Sequence, residues 1–384
     1  MHPSLLTTDQ IALKDAARKL ALGEFRDRAA RWDREGIYPD ENHHRLGELG
    51  YLGMTIPEEF GGGGVSLVDC YLVIEELAKV DFNTALIVHD QNVSPRIIAT
   101  CGSEALKQAF LPRFAAGEIE CAISWTEPEA GSDATAVTTS LRPDGDGFVL
   151  NGGKIFTTFG DRADYLLVYA RFCESKGARG IGTVLVHRKS PGVSVHILEQ
   201  KMGARGCNEC EIHFDDVRVP AENIVTEGLA GNSSGFVRPL GVYNGTRVGM
   251  GVLALGVAEG AFDLACDYMK TRRQFGKALS DMQGLQWMMS DMKVQIEAAR
   301  SLCYTALSLI DRGQPDPTLS SIAKVQATEM AQRVTHDAMQ MFGGYGYFGS
   351  LPLERMVRDV RMLTITGGTT QIHKNGIARA LFAD

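Results

Sequence analysis

Apolar residues along the chain follow two different periods, and the changes between them divide it into three regions. Over roughly the first 118 residues they recur three and four apart, the spacing that lines one face of a helix. Thr7-Thr8-Asp9-Gln10 has the spacing of a capping box, in which hydroxyl and amide satisfy each other's backbone donors. It opens a helix through Ile11, Ala16, Leu20 and Phe25. A second helix is predicted from Glu41 to Leu49, stopped by Gly50. Gly61 to Gly64 make a loop that no helix tolerates. Beyond it Ser66 caps a helix bearing Leu72, Val73 and Leu77, and Ser103 caps another through Leu106, Phe110 and Leu111.

From about Glu120 the segments shorten and fill with Val, Ile, Thr, Phe and Tyr. Asp144-Gly145-Asp146-Gly147 and Asn151-Gly152-Gly153 are turn signals flanking Phe148-Val149-Leu150. Further strands are predicted over Tyr165–Phe172, Gly182–His187, Val193–Leu198 and Glu211–Phe214, an antiparallel sheet or barrel. After about Ser233 long helices return, near Phe236–Arg272, Asp281–Arg312, Ser320–Phe342 and Leu353–Ala383, and short links between them imply an antiparallel bundle. The expected organisation is α+β: an N-terminal helical domain (1–118), a middle antiparallel β domain (119–232) and a C-terminal four-helix bundle (233–384). Gly241, Gly245 and Gly249 share one helix face. Each costs about 0.8 to 1 kcal/mol relative to alanine, so close approach of a helix or a ligand is the expected compensation.

Composition narrows the function. A net charge of -8 over 384 residues argues against nucleic acid, because phosphate binding needs a basic face. No apolar run approaches the roughly 20 residues of a membrane span. The start, Met1-His2-Pro3-Ser4-Leu5-Leu6, lacks the basic and apolar regions of a secretory signal, so a cytoplasmic protein is expected. Eight cysteines are too sparse for a disulfide scaffold. Cys207 and Cys210, with His213 after them, have no second pair at zinc-ligand spacing; free thiols and no metal are expected.

Four motifs carry the chemistry: Trp125-Thr126-Glu127-Pro128-Glu129-Ala130-Gly131-Ser132-Asp133, Phe156-Thr157-Thr158, Thr271-Arg272-Arg273-Gln274-Phe275-Gly276-Lys277, and Ile365-Thr366-Gly367-Gly368-Thr369-Thr370-Gln371. Together they resemble the FAD-dependent acyl-CoA dehydrogenases, over essentially the whole chain. The resemblance implies that Trp125 and Thr126 flank the flavin, that Phe156 covers the isoalloxazine and Thr158 bonds to it, and that Ser132 contacts the CoA. Arg272, Gln274 and Phe275 would hold the ADP half of FAD across a subunit contact. Gln283, Gln340 and Gly344 fit the same half, and Thr369 and Gln371 complete it. Asn244, Thr246, Arg247 and Gly368 match substrate-contacting positions. A homotetramer is implied, with an electron-transferring flavoprotein as electron acceptor.

One expected residue is missing. Where the family commonly carries its catalytic glutamate this chain has Gly367. Some members carry the base on the first bundle helix instead, and Thr246 stands there; its hydroxyl does not titrate near neutral pH. In the stretch Ile87-Val88-His89-Asp90-Gln91-Asn92, matching part of the family's acyl pocket, Asp90 is the candidate replacement. An apolar pocket would raise its pKa toward a base's working range. The alternative is that Asp90 caps a helix or bonds a neighbour and His89 faces solvent. A displaced base reaches a different proton, for instance one vinylogous to the carbonyl of a cyclohex-1-ene-1-carboxyl thioester, with hydride leaving from another ring carbon to give a conjugated diene. That pattern resembles the alicyclic acyl-CoA branch, and the glycine face would leave width for a ring. The chain also resembles the 3-sulfinopropionyl-CoA desulfinase branch, at Gly284-Leu285-Gln286-Trp287-Met288 and Thr364 to Thr369. A sulfinate calls for a guanidinium; residues 83–92 hold none, and Arg96 lies beyond them. An ordinary acyl-CoA dehydrogenase with some other carboxylate is the third reading.

Overall fold

A computed structural model describes residues 5–383, so the first four residues of the opening segment lie outside it. Six helices come first. Helix α1 (Thr8–Leu20) starts on the Thr7–Gln10 capping box, with Gln10 N donating to Thr7 Oγ1 at 3.2 Å and Thr7 N to Gln10 Oε1 at 3.1 Å. A π-helical turn at Ala21–Phe25 joins it to α2 (Arg26–Glu35). Helix α3 (Asp40–Glu48) ends before Gly50, which is left-handed at φ 74°. Ser66 and Ser103 cap α4 (Leu67–Ala78) and α6 (Glu104–Ala115). Between these lies α5 (Phe82–Cys101), a 20-residue helix that runs on through Pro95. Its residues 82–89 are all buried, so it shows no polar face.

The middle region holds β1 (Cys121–Ser124), β2 (Ser140–Asp144), β3 (Gly147–Thr158), β4 (Tyr165–Arg171), β5 (Ile181–His187), β6 (Val193–Ile197), β7 (Glu209–Pro220) and β8 (Ile224–Thr226). They form one sheet in the order β6-β7-β3-β2-β4-β5-β8, with β1 alongside β4. Most pairings are antiparallel, but β1 with β4 and β2 with β4 are parallel, so the sheet is mixed. Asn151-Gly152-Gly153 is not a turn. It lies inside β3 at a register shift against β7, where Gly152 takes φ 137° and a Cβ would press on Thr139 at 2.7 Å.

The last region is built on α7 (Ser234–Thr271), a 38-residue helix. It is long and apolar enough by composition to cross a membrane, yet 83% of its most apolar window is buried, as befits the core helix of a bundle. A short ribbon, β9 (Arg273–Gln274) and β10 (Lys277–Ala278), leads to α8 (Gln283–Asp311) and α9 (Pro317–Met341). The expected helix over Leu353–Ala383 is two, α10 (Leu353–Arg361) and α11 (Thr370–Leu381). Gly367 at φ 67° and Gly368 at φ 94° break it, and Thr369 caps the second half.

Candidate active site

Asp90 sits in mid-helix on α5, so it caps nothing, and its carboxylate accepts no hydrogen bond among the described residues. A quarter of its side chain is exposed. Burial pushes its pKa up to about 8, helped by the Glu209 carboxylate and opposed by Lys201. Next to it, His89 is fully buried rather than solvent-facing. Its Nδ1 lies 3.1 Å from the Tyr71 hydroxyl and its Nε2 is 3.9 Å from Asp90 Oδ1. Burial holds this imidazole down at about 3, so it is neutral at physiological pH. Tyr243 of α7 lies within reach of the Asp90 charge, which with burial raises its phenol to about 12.

The glycine face of α7 is occupied by protein. A Cβ at Gly249 would overlap the Tyr71 hydroxyl, and one at Gly245 would lie 2.7 Å from Arg96 Nη1 and 3.2 Å from Leu67 Cδ1. Space for a ring is therefore not what these two glycines supply; they admit α4 and α5 side chains. Gly241 alone faces open space. Arg96 reaches α7 as a partly buried cation whose pKa burial lowers. The nearby Asp311 carboxylate is engaged by the Leu67 and Val68 amides, at 2.9 and 3.0 Å.

At the loop before α11, where the family's glutamate is expected, the surrounding charge is positive. Lys324 of α9 donates to the carbonyls of Thr366 and Gly368. Burial and the neighbouring Arg247 lower its pKa to about 7. A Cβ at Gly367 would stand 3.6 Å from Met250 Cγ and 3.9 Å from Lys324 Nζ. His373 pairs through Nδ1 with Ser321 Oγ and through Nε2 with the Gly367 carbonyl, both at 3.2 Å. Burial, Lys324 and Arg247 hold it at about 4. Arg247 donates to Asn244 Oδ1 at 2.8 Å, leaving its buried Nε without a partner among the described residues. Thr246 is buried beside them.

The Trp125–Asp133 turn is anchored from below. Lys154 of β3 donates to Glu127 Oε1 at 2.6 Å, and Glu127 accepts the amides of Thr138 and Thr139 at 2.7 and 3.0 Å. Burial works against ionisation, but Lys154 and these donors hold Glu127 at about 2. Trp125 stacks on buried Tyr169 at 4.3 Å and meets Phe236 and Tyr243 edge-on at 5.5 Å, and its indole N–H donates to the Ala134 carbonyl. The ring thus packs against Tyr243, the residue whose phenol feels the Asp90 charge. Thr126 accepts the Ile155 amide at 2.9 Å, while Ser132 is exposed in the turn. A register shift between Lys154 and Thr157 turns Phe156 outward at φ 57°, 61% exposed. Thr158 donates to Glu209 at 3.0 Å, and Lys201 holds the other Glu209 oxygen at 2.8 Å.

The remaining predicted cofactor residues lie elsewhere. Arg272, Gln274, Gln340 and Gly344 line a cleft of about 790 Å³ with Tyr268, Phe342 and Tyr345. Phe275 and Gly276, at φ 50° and 79°, form the tip of the β9–β10 ribbon, which leaves the Phe275 ring 95% exposed. Gln283 begins α8 and Gln371 lies in the first turn of α11, both exposed. Thr369 Oγ1 accepts the Ile372 amide at 3.3 Å. Cys207 and Cys210 are buried free thiols, and His213, three positions on in β7, points to the opposite face. Tyr71, Tyr243, Glu209 and Lys324 do not stand out in the sequence as site residues. Lys324 carries one usable signal, as a charge among the small residues Ser320, Ala323 and Ala327 of one helix face.

Three family models match the chain in order: acyl-CoA dehydrogenase N-terminal domain over residues 7–118, middle domain over 122–217 and C-terminal domain over 233–382. The chain belongs to the acyl-CoA dehydrogenase family, a class of FAD-dependent oxidoreductases. It is 42% identical to a 3-sulfinopropanoyl-CoA desulfinase of Paraburkholderia xenovorans, across 98% of this chain and 96% of the relative. It is 38% identical to a cyclohex-1-ene-1-carbonyl-CoA dehydrogenase of Syntrophus aciditrophicus, across 98% and 90%. The solved butyryl-CoA dehydrogenase of Megasphaera elsdenii superposes with a TM-score of 0.93 at 36% identity, over 98% of each chain. The residues here fit FAD on two observations: an exposed aromatic ring held out at Phe156, and an Arg- and Gln-lined cleft beside exposed Phe275.

Proposed function

We propose that this chain dehydrogenates an alicyclic acyl-CoA, cyclohex-1-ene-1-carboxyl-CoA being the best-fitting substrate, to a conjugated cyclic diene thioester. The observation that carries this is the Asp90 carboxylate, free of hydrogen bonds among the described residues, near Tyr243, against which Trp125 packs, and with a pKa near 8, while Gly367 and Thr246 provide no base. Asp90 takes a ring proton remote from the thioester, and the bound flavin supplies the hydride acceptor. Asn244, Arg247 and Gly368 orient the thioester, and Ser132 contacts the CoA. Trp125, Thr126, Phe156 and Thr158 hold the flavin ring, and Thr369 and Gln371 complete the cofactor's other half. Arg272, Gln274, Phe275, Gln283, Gln340 and Gly344 hold the ADP half. Arg247 and Arg272 are separated by about 40 Å of α7, at about 1.5 Å per residue. A single bound dinucleotide does not reach across that, so each site draws its ADP-binding residues from a second subunit. The assembly is a homotetramer, and the electrons pass to an electron-transferring flavoprotein.

The test is anaerobic mixing with cyclohex-1-ene-1-carboxyl-CoA, butyryl-CoA and 3-sulfinopropionyl-CoA, following flavin absorbance and sulfite. Rapid bleaching by the cyclic thioester alone, lost in Asp90→Asn, supports the assignment; bleaching that survives the substitution removes Asp90 as base.

A desulfinase-like lyase is the second reading. It is favoured by the 42% identity to such an enzyme and by Arg96, a guanidinium with a spare fork of donors for a sulfinate. Sulfite release without net bleaching, abolished in Arg96→Leu, would establish it.

A further inference from the structure

Two buried groups lead to the reacting, one-quarter-exposed Asp90 carboxylate: the Tyr71 hydroxyl contacts His89 at 3.1 Å, and His89 approaches Asp90 at 3.9 Å. The first contact exists because position 249 is glycine, as any Cβ there would displace the tyrosine oxygen. The second ends in His89 Nε2, a fully buried nitrogen without a hydrogen-bond partner among the described residues. Leaving a polar atom in that condition is costly unless a partner reaches it at some stage of the cycle.

We propose that Tyr71 and His89 are positioning residues that hold Asp90 deprotonated in the substrate complex; the proposal rests on Asp90 being the base. The Tyr71 hydroxyl donates to His89 Nδ1, which places the single ring proton on Nε2. When substrate binds beside Asp90, the carboxylate turns toward that N–H, closing the gap by about 1 Å into a charge-assisted hydrogen bond. His89 keeps its proton throughout. Asp90 accepts the substrate's proton, becomes neutral and lets go of the imidazole. No other charge near the carboxylate can do this unaided. Glu209 of β7 disfavours ionisation, and Lys201, which favours it, is already tied to Glu209 at 2.8 Å. Tyr243 of α7 and the buried Cys207 thiol are protonated at neutral pH, both held high by burial.

The experiment is the pH dependence of flavin bleaching in a single turnover at saturating cyclohex-1-ene-1-carboxyl-CoA, in the wild-type holoenzyme, Tyr71→Phe, His89→Leu and Asp90→Asn. A hydrogen bond to an ionised carboxylate shifts its ionisation by about tenfold or more. Tyr71→Phe and His89→Leu should therefore bleach about tenfold more slowly than wild type near pH 6.5 and at the wild-type rate near pH 9. Tyr71→Phe conserves shape, and Gly249→Ala, which drives the hydroxyl away without removing it, should reproduce its profile. An unmoved acid limb, or an equal loss at every pH, overturns the relay. Loss of bleaching in Asp90→Asn with an unmoved limb in Tyr71→Phe rejects the relay alone, whereas bleaching that survives Asp90→Asn rejects the base and the relay with it.

Discussion

Replacing Asp90 by Asn, and comparing the two proteins across pH, tests the base assignment through two independent readouts. A carboxyl with a pKa near 8 rather than 3.8 is about one-tenth ionised at pH 7 and about one-hundredth at pH 6. If the free enzyme's carboxylate is the base, kcat/KM rises about tenfold from pH 6 to 7, bends near pH 8 and is flat beyond, because that parameter reports groups in the free enzyme. The other readout is stability. The raised carboxyl binds a proton in the folded state that the unfolded chain has released, so its contribution is fully present below about pH 4 and is lost as pH rises to about 8. The loss has an upper limit of about 1.4 kcal/mol per pH unit, or about 4 kcal/mol between pH 5 and 8. A side chain one-quarter exposed is partly screened, so a smaller figure is expected. Asp90→Asn cannot lose this contribution. Its thermal midpoint should move up relative to wild type from pH 5 to 8 and stay level above, in differential scanning fluorimetry of the two holoenzymes. Parallel stability curves, or a kcat/KM profile that is level from pH 6 to 9, would refute an ionisation near 8 at this residue.

Gly367→Glu restores a carboxylate next to the thioester, at a left-handed position that costs a side chain about 1 to 2 kcal/mol. Bleaching by butyryl-CoA should then rise at least about tenfold above wild type, and a folded, flavin-loaded variant with no gain would show that the loop cannot aim a base. Lys154→Met leaves Glu127 buried without its cation and should cost about 3 to 5 kcal/mol, seen as a lower thermal midpoint; an unchanged midpoint would mean the pair is not a structural anchor. Arg272→Ala removes a donor fork from the cleft far along α7 and should raise the FAD dissociation constant about tenfold or more, by fluorescence titration of the apoprotein. Retention as tight as wild type would place the ADP half elsewhere.

Local physics explains which parts can be anticipated from sequence. The caps at Thr7, Ser66 and Ser103 satisfy helix-end donors within three residues, so their signal is complete in the sequence. Helix α5, which carries Asp90, shows no amphipathic pattern because it is buried on nearly every side; family resemblance points to its role, and periodicity does not. Gly152 and Gly367 depart from expectation in opposite directions. Gly152 carries a turn signal but makes a bulge inside a strand, whereas Gly367 falls within a helical pattern and breaks it. In both cases the deciding contact, Thr139 for one and the Lys324-held loop for the other, is remote in sequence. The same holds for Tyr71, whose place beside His89 depends on a glycine on another helix.

The electrostatics around Asp90 and around Gly367 fit one another. A glutamate at position 367 would offset part of the positive charge of Lys324 and Arg247; without it, half-buried Arg247 and buried Lys324, whose pKa is lowered to about 7, leave uncompensated positive charge beside the loop proposed to hold the thioester. Removing a proton alpha to the thioester carbonyl, or vinylogous to it, moves negative charge onto the thioester oxygen. Fixed cations near that oxygen stabilise the charge wherever the base stands. The base can then be distant from the carbonyl without losing that stabilisation, provided the acyl group conjugates the two ends. Saturated butyryl-CoA does not, and a cyclohexene thioester does. Discrimination between them would follow from having the base at Asp90 rather than at 367, and restoring an acid at 367 should both admit the saturated substrate and weaken the preference for the cyclic one.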